Sequence, residues 1–372
     1  MAESTRLVDL VQDDIDRFLD EREPQLAAIA DELAPLADYS RSLLSGGKRF
    51  RALFCYWGWQ STQSRVDEFD LLPEPRDPQL AAIIRASVAL ELFHAAALVH
   101  DDIIDNSDTR RGGESIHRRF ESIHAAGGWS GSADAFGRSA AILLGDLLLA
   151  WSDEAFSEAL AMTPSSSARA AARGEHHRMR SEVMLGQYLD VLNEHAWKSY
   201  PESEQLPRAH RVIVYKSAKY SVEAPLAIGA ALGGGTEENL AALSAFGLPL
   251  GIAYQLRDDL LGVFGDPEVT GKPSGDDLRE GKRTVLVALA RAALPSNAAT
   301  LFDELLGDRE LTDLQVRTLQ DTIKASGAVE DVERIIQRNV ELAKNSLRDA
   351  KITASARHQL MGLADSAITR AA

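Results

Sequence analysis

The sequence predicts an all-α protein, a single large helical bundle around a central cavity. Three observations carry that expectation. Alanine and leucine dominate and only 13 of 372 residues are proline, a balance that favours helix. Apolar residues recur at three- and four-residue spacing through most long segments. No run holds the strict alternation of a strand, and short alternating stretches such as Arg211 to Tyr215 continue into helical patterns.

Taken in order, residues 1–40 read as N-terminal helices, and Gln63 to Pro78, with Pro73, Pro75 and Pro78, reads as a loop. A long helix is expected over Leu80 to Asp105, then a glycine-rich loop over Ala125 to Ser132 and a helix over Ser139 to Leu160. Thr163 to Gly174, rich in Ser, Ala and Arg, reads as a further loop. Helices follow over Glu182 to Leu192, His210 to Leu232 and Leu240 to Phe264, and a Gly-, Pro- and charge-rich loop over Gly265 to Gly281. Three shorter helical units come after Thr284, and residues 297–372 carry no chemical motif, so core packing is their expected role. No stretch demands a boundary, and the expected domain is one, residues 1–372.

Composition narrows the function. A net charge of −16 argues against nucleic acid and anionic membranes as general partners. The apolar stretches read as broken by charge, Gly or Pro short of a ~20-residue span, so no stable membrane insertion is expected. Cys55 is the one cysteine, which excludes an internal disulfide framework and fits a reducing compartment. Acidic residues from Glu3 to Asp16 do not suit a signal peptide. A cytoplasmic location is the expectation.

Two acidic clusters stand at the ends of apolar helices. In the first, Asp101-Asp102-Ile-Ile-Asp105, the helical angle puts Asp105 about 40° from Asp101 and about 60° from Asp102. Three carboxylates sharing one helix end repel each other and resist desolvation, so a cation belongs there. The second cluster, Gln255-Leu-Arg-Asp258-Asp259, closes another alanine- and leucine-rich helix. Oxygen-only donors suit Mg²⁺ bridging to phosphate better than zinc or calcium. Basic residues recur beside the clusters: Gly46-Gly-Lys48-Arg49-Phe-Arg51, then Arg110 and Arg111, then Lys216, Lys272 and Lys282. Cations placed so, in an acidic protein, fit a metal-assisted diphosphate site.

These segments resemble the trans-isoprenyl diphosphate synthases, the polyprenyl synthetase family, and among them geranylgeranyl diphosphate synthases. The motifs run GGKRFR, HDDIIDNSDTRRGG, LLGD, GQYLD, YKSA, YQLRDDLLG, GKPSGDD and EGKRT, from Gly46 to Thr284. The resemblance implies that Asp101, Asp102, Asp105, Asp258 and Asp259 hold Mg²⁺, three ions per site, on an allylic diphosphate. It implies that Arg110, Lys216, Gln255 and Lys272 contact that diphosphate, with Ser217 in place of the family's usual threonine, and it groups Lys282 with these basic residues. Lys48, Arg51, His94 and Arg111 would bind isopentenyl diphosphate. Gln187 and Asp190 would line the cavity, and Asp146 reads as structural. The second motif's usual third aspartate is Gly262 here. The implied reaction condenses isopentenyl diphosphate with dimethylallyl, geranyl or farnesyl diphosphate in a homodimer.

Product length in this family is limited by bulk before the first motif. Ala96 and Ala97 are small, and Phe93 lies about 40° from Ala97 and ~12 Å below Asp101, the next candidate floor. Phe93 as plain core packing is an equal reading. This spacing favours a geranylgeranyl (C20) product over farnesyl or longer ones. Three other classes compete. A di-iron carboxylate bundle would use Glu-x-x-His at Glu91/His94, Glu114/His117 and Glu121/His124. A class I terpene cyclase would lack the GGKRFR and RRG segments, and a non-catalytic subunit would not need both acidic clusters.

Overall fold

The computed structural model describes residues 2–63, 78–110, 112–266 and 274–369. The described residues are all-α apart from one minimal hairpin, and the chain divides into two compact units: residues 1–173 with 228–235, and residues 174–227 with 236–372.

In the first unit, α1 (Ala2–Ile29) buries Leu7, Val11, Ile15 and Phe18 along one face, the stripe that a 3.6-residue repeat produces. After α2 (Ala34–Leu43), α3 (Phe50–Gln60) is buried from Ala52 onward. The central helix is α4 (Pro78–Ile104), in which residues 86–93 are buried without a break, so it is enclosed on every side. It packs along α6 (Ala133–Met162) and against α3, while α5 (Ile116–Ala126) also lies on α6. Ser152 of α6 donates to the Ala89 carbonyl at 2.7 Å and fixes the α4–α6 register.

The second unit is built on α10 (Glu237–Phe264), which opens with a capping box between Thr236 and Asn239. A π-helical segment, Ile213–Glu223, packs along it, fed by α8 (Glu202–Val212) and running on into α9 (Ala224–Leu232). The helix α7 (Ser166–Ala196) runs from one unit into the other. Five helices follow the short α11 (Asp276–Glu280): α12 (Val285–Ala293), α13 (Ser296–Leu305), α14 (Asp313–Ala325), α15 (Ala328–Ser346) and α16 (Ala354–Thr369). Among them α15 packs on α10 and buries Val332, Ile336, Val340 and Ala343.

Several expectations need correction. The strand-free reading misses the hairpin pairing Thr109–Arg110 with Gly113–Glu114, because a two-residue ladder leaves no periodicity to detect. The loop expected over Thr163 to Gly174 is helical from Ser166, since Ser165 caps the turn by accepting from the Ala168 amide at 3.2 Å and Ala and Arg then propagate it. The three units after Thr284 are five. Part of the expected Gly265 to Gly281 loop is α11, and most of the Gln63 to Pro78 loop lies outside the described residues. Helices α4 and α10 are, by length and composition, long and apolar enough to cross a membrane, contrary to the expectation of short apolar runs; most of α4 and half of the apolar stretch of α10 are buried within the protein.

Candidate active site

The GGKRFR turn is made by three left-handed residues, Gly46 (φ 65°), Gly47 (92°) and Arg49 (48°). The glycines adopt this conformation without cost; Arg49 does not. Its guanidinium is buried and pairs with Glu91 of α4 at 2.9 Å and with Gln12 of α1 at 2.6 Å. That pair pins the turn beside α4 one helical step before His94, which is half-buried. Lys48 is left exposed and Arg51 half-buried in the first turn of α3. Of the three cations in this motif, Arg49 is therefore structural.

At the end of α4, Asp102 and Asp105 are buried and Asp101 half-buried. One of these carboxylates, Asp102, pairs with Arg110. The hairpin folds it back so that its Nε donates to Asp102 Oδ1 at 2.9 Å and Oδ2 at 3.2 Å, with Nη2 adding a further bond. Arg138 of α6, unmarked by any motif, secures the bend after the aspartates through Asn106, the Ile103 carbonyl (3.3 Å) and Asp134 (3.1 Å). Asp146 lies 3.4 Å from His100 Nε2. Phe93 and Ala96 are fully buried and Ala97 half-buried. Arg111 lies outside the described residues.

In the second unit, α7 carries Gln187 and Asp190, and the π-helical segment carries Lys216 and Ser217. Lys216 donates to Asp190 Oδ2 at 2.6 Å, and one turn away Lys219 meets Glu182 at 2.9 Å. Gly186 allows this approach: a Cβ there would sit 2.4 Å from the Lys216 backbone nitrogen. On α10, Arg257 pairs with Glu333 of α15 at 2.5 and 2.8 Å; Asp258 is exposed and Asp259 buried. Gln255 donates to Asp259 Oδ1 at 2.8 Å, but Oδ2 is buried with no hydrogen-bond partner. Burial pushes the Asp259 carboxyl up to about 8; Asp277 and Asp258 add to the rise, while the Gln255 bond and Lys282 oppose it. Lys282 is held by Glu280 at 2.9 Å and lies 3.9 Å from Asp277. Lys272 lies outside the described residues.

The donors at these carboxylates are oxygen only, and an orphaned buried carboxylate oxygen calls for a cation. Magnesium fits that chemistry. The di-iron reading does not: Glu91 is taken by Arg49, Glu121 by Arg118 at 2.6 Å, and His117 Nδ1 by Ser115 at 3.2 Å. A cysteine nucleophile is also excluded, because Cys55 is fully buried and burial pushes its thiol up to about 12.

Residues 34–323 match the polyprenyl synthetase family. A geranylgeranyl diphosphate synthase of Methanosarcina mazei is 30% identical over 94% of this chain and 96% of its own. A short chain isoprenyl diphosphate synthase of Methanocaldococcus jannaschii is 28% identical over 83% and 82%. The crystal structure of a geranylgeranyl pyrophosphate synthase from Corynebacterium glutamicum, complexed with isoprenyl diphosphate and magnesium, superposes with a TM-score of 0.88 at 37% identity, covering 98% of this chain and 99% of that one.

Proposed function

Given that the chain belongs to the polyprenyl synthetase family and is a trans-prenyltransferase, we propose that it condenses isopentenyl diphosphate with an allylic diphosphate to give geranylgeranyl diphosphate. The observation that carries the reading is the buried, half-satisfied carboxylate of Asp259, a group that is costly unless a cation completes it. Asp101, Asp102, Asp105, Asp258 and Asp259 would hold Mg²⁺, three ions per site, on the allylic diphosphate. The metal, when bound, offsets charge that develops on the departing diphosphate.

The chain's own residues do the rest. Arg110 and Lys216, now paired with Asp102 and Asp190, are positioned cations that can turn to the diphosphate, and Gln255 and Lys272 complete that set. Lys48, Arg51, His94 and Arg111 orient isopentenyl diphosphate. Its double bond attacks the allylic carbon as the C–O bond breaks, and a proton leaves the adduct, with the released diphosphate as acceptor. Apolar helix walls keep water from the cation. The small side chains of Ala96 and Ala97 before the bulky Phe93 support the C20 length.

We also propose a homodimer. Ile142 and Leu143 on α6 are 44% and 65% exposed, and Leu185 and Tyr188 on α7 are 62% and 65% exposed, an amount of bare apolar surface that a partner copy would cover.

The test is incubation of purified protein with Mg²⁺, labelled isopentenyl diphosphate and each allylic primer in turn. A C20 product dependent on Mg²⁺ is expected. No condensation with any primer would overturn the assignment, and a C15 or longer product would overturn the length.

A further inference from the structure

We infer that Arg118 and Arg138, neither of them in a motif, are positioning residues that set Arg110 for the allylic diphosphate. The inference rests on the prenyltransferase reading above. Helix α4 ends in a Schellman turn: the Asn106 amide donates to the Ile103 carbonyl at 3.3 Å and the Ser107 amide to the Asp102 carbonyl at 2.9 Å. Asn106 takes the left-handed conformation there (φ 52°), where glycine is usual and a larger residue carries a cost. Arg138 of α6 holds it in place. Its Nη2 donates to Asn106 Oδ1, and its Nη1 donates to the Ile103 carbonyl at 3.3 Å.

On the far side of the turn, Arg118 of α5 donates from Nε to Asp108 Oδ1 at 2.7 Å, and the Asp108 carbonyl accepts from the Ser115 amide at 2.9 Å. Asp108 thus anchors the hairpin that carries Arg110 through both its side chain and its backbone. Asp134 ties the two arginines together. It accepts from Arg138 Nε at 3.1 Å and from Arg118 Nη1 at 3.3 Å, and its charge offsets the repulsion between the two guanidinium groups. They meet because α5 and α6 touch at Gly137, where a Cβ would stand 2.3 Å from the His117 carbonyl oxygen. The segment from Asp105 to Arg110 is therefore gripped from both sides, which fixes where the Arg110 guanidinium reaches. The side chains of Asp108 and Asp134 are 68% and 46% exposed, and ion pairs so exposed add little to stability. What they supply is position.

Steady-state kinetics, with melting followed by circular dichroism, tests this. Arg138→Ala and Arg118→Ala should each raise KM for the allylic diphosphate by ~10-fold or more, the scale of loss when a partner that orients a binding group is removed. KM for isopentenyl diphosphate and the melting temperature should stay near wild type. Asp134→Asn should follow the arginine variants. Asn106→Gly takes the same turn without the side-chain bond, and adding it to Arg138→Ala should recover much of the lost KM. Combined with Arg110→Ala, either arginine variant should show the KM of Arg110→Ala alone, because both act through that residue. A fall in kcat with both KM values unchanged, additive losses in the double variants, or no recovery with Asn106→Gly would each overturn the inference. Absence of condensation by the wild-type protein would instead overturn the functional reading on which it rests.

Discussion

Asp259 makes the stability of the fold depend on pH. Its carboxyl rises from 3.8 to about 8 in the folded, metal-free protein, chiefly by burial. Below 3.8 both folded and unfolded chains keep the proton. Between 3.8 and 8 the unfolded chain has released it and the folded chain has not, so stability falls as pH rises through that window and levels off above it. Asp259→Asn removes the titrating group. In EDTA, its denaturant-measured stability should match wild type near pH 4 and exceed it at pH 8, on the order of a few kcal/mol. A wild-type profile flat from pH 4 to 8 would contradict this. Arg49 gives a second expectation at the same scale. Breaking its buried pair with Glu91 by Arg49→Ala should cost ~3–5 kcal/mol, whereas Arg49→Met/Glu91→Leu should recover most of it. Urea unfolding of the single and double variants measures both.

Helix geometry governs the next level. On α4, Phe93 and Ala97 are one turn apart, and Phe93 is 1% exposed. Phe93→Ala should therefore extend the product beyond C20, read by chromatography of the labelled chains; an unchanged length would leave Phe93 as core packing alone. On α7 and the π-helical segment, Gly186 sets the distance between two elements that each carry half of the Lys216–Asp190 pair. Gly186→Ala places a methyl 2.4 Å from backbone, an overlap relieved only by moving the segment, and should cost ~1–3 kcal/mol. It should also raise KM for the allylic diphosphate more than Ser217→Ala does, because it displaces Lys216 as a unit with its helix. Steady-state kinetics of the two variants separates these effects. Helices α4 and α10 bury much of their surface because their apolar faces are wide, which is also why their composition passes for that of a membrane span.

For the molecule as a whole, the exposed apolar residues of α6 and α7 bear on assembly. For the homodimer proposed above, Leu185→Glu together with Leu143→Glu should shift sedimentation velocity from dimer to monomer, with little change in helical circular dichroism. Retention of the dimer would place its interface elsewhere. The aspartate and glycine motifs were legible along the chain because each is local: a helix end presents residues three and four apart, and a basic segment follows within a few positions. The helices were legible for the same reason, through their periodicity. Local sequence could not show which cation answers which carboxylate. Arg49 and Glu91 are 42 residues apart, Lys216 and Asp190 are 26 apart, and Arg138 carries no motif. The chain alone thus determined the helices, since propensity and spacing act over one or two turns, and its motifs carried the resemblance to the prenyltransferase family. Tertiary structure alone decided that Arg49 is a strut, that Asp259 is buried with an unmet oxygen, and that Arg118 and Arg138 share Asp134. Those outcomes depend on distances across space, which periodicity does not encode.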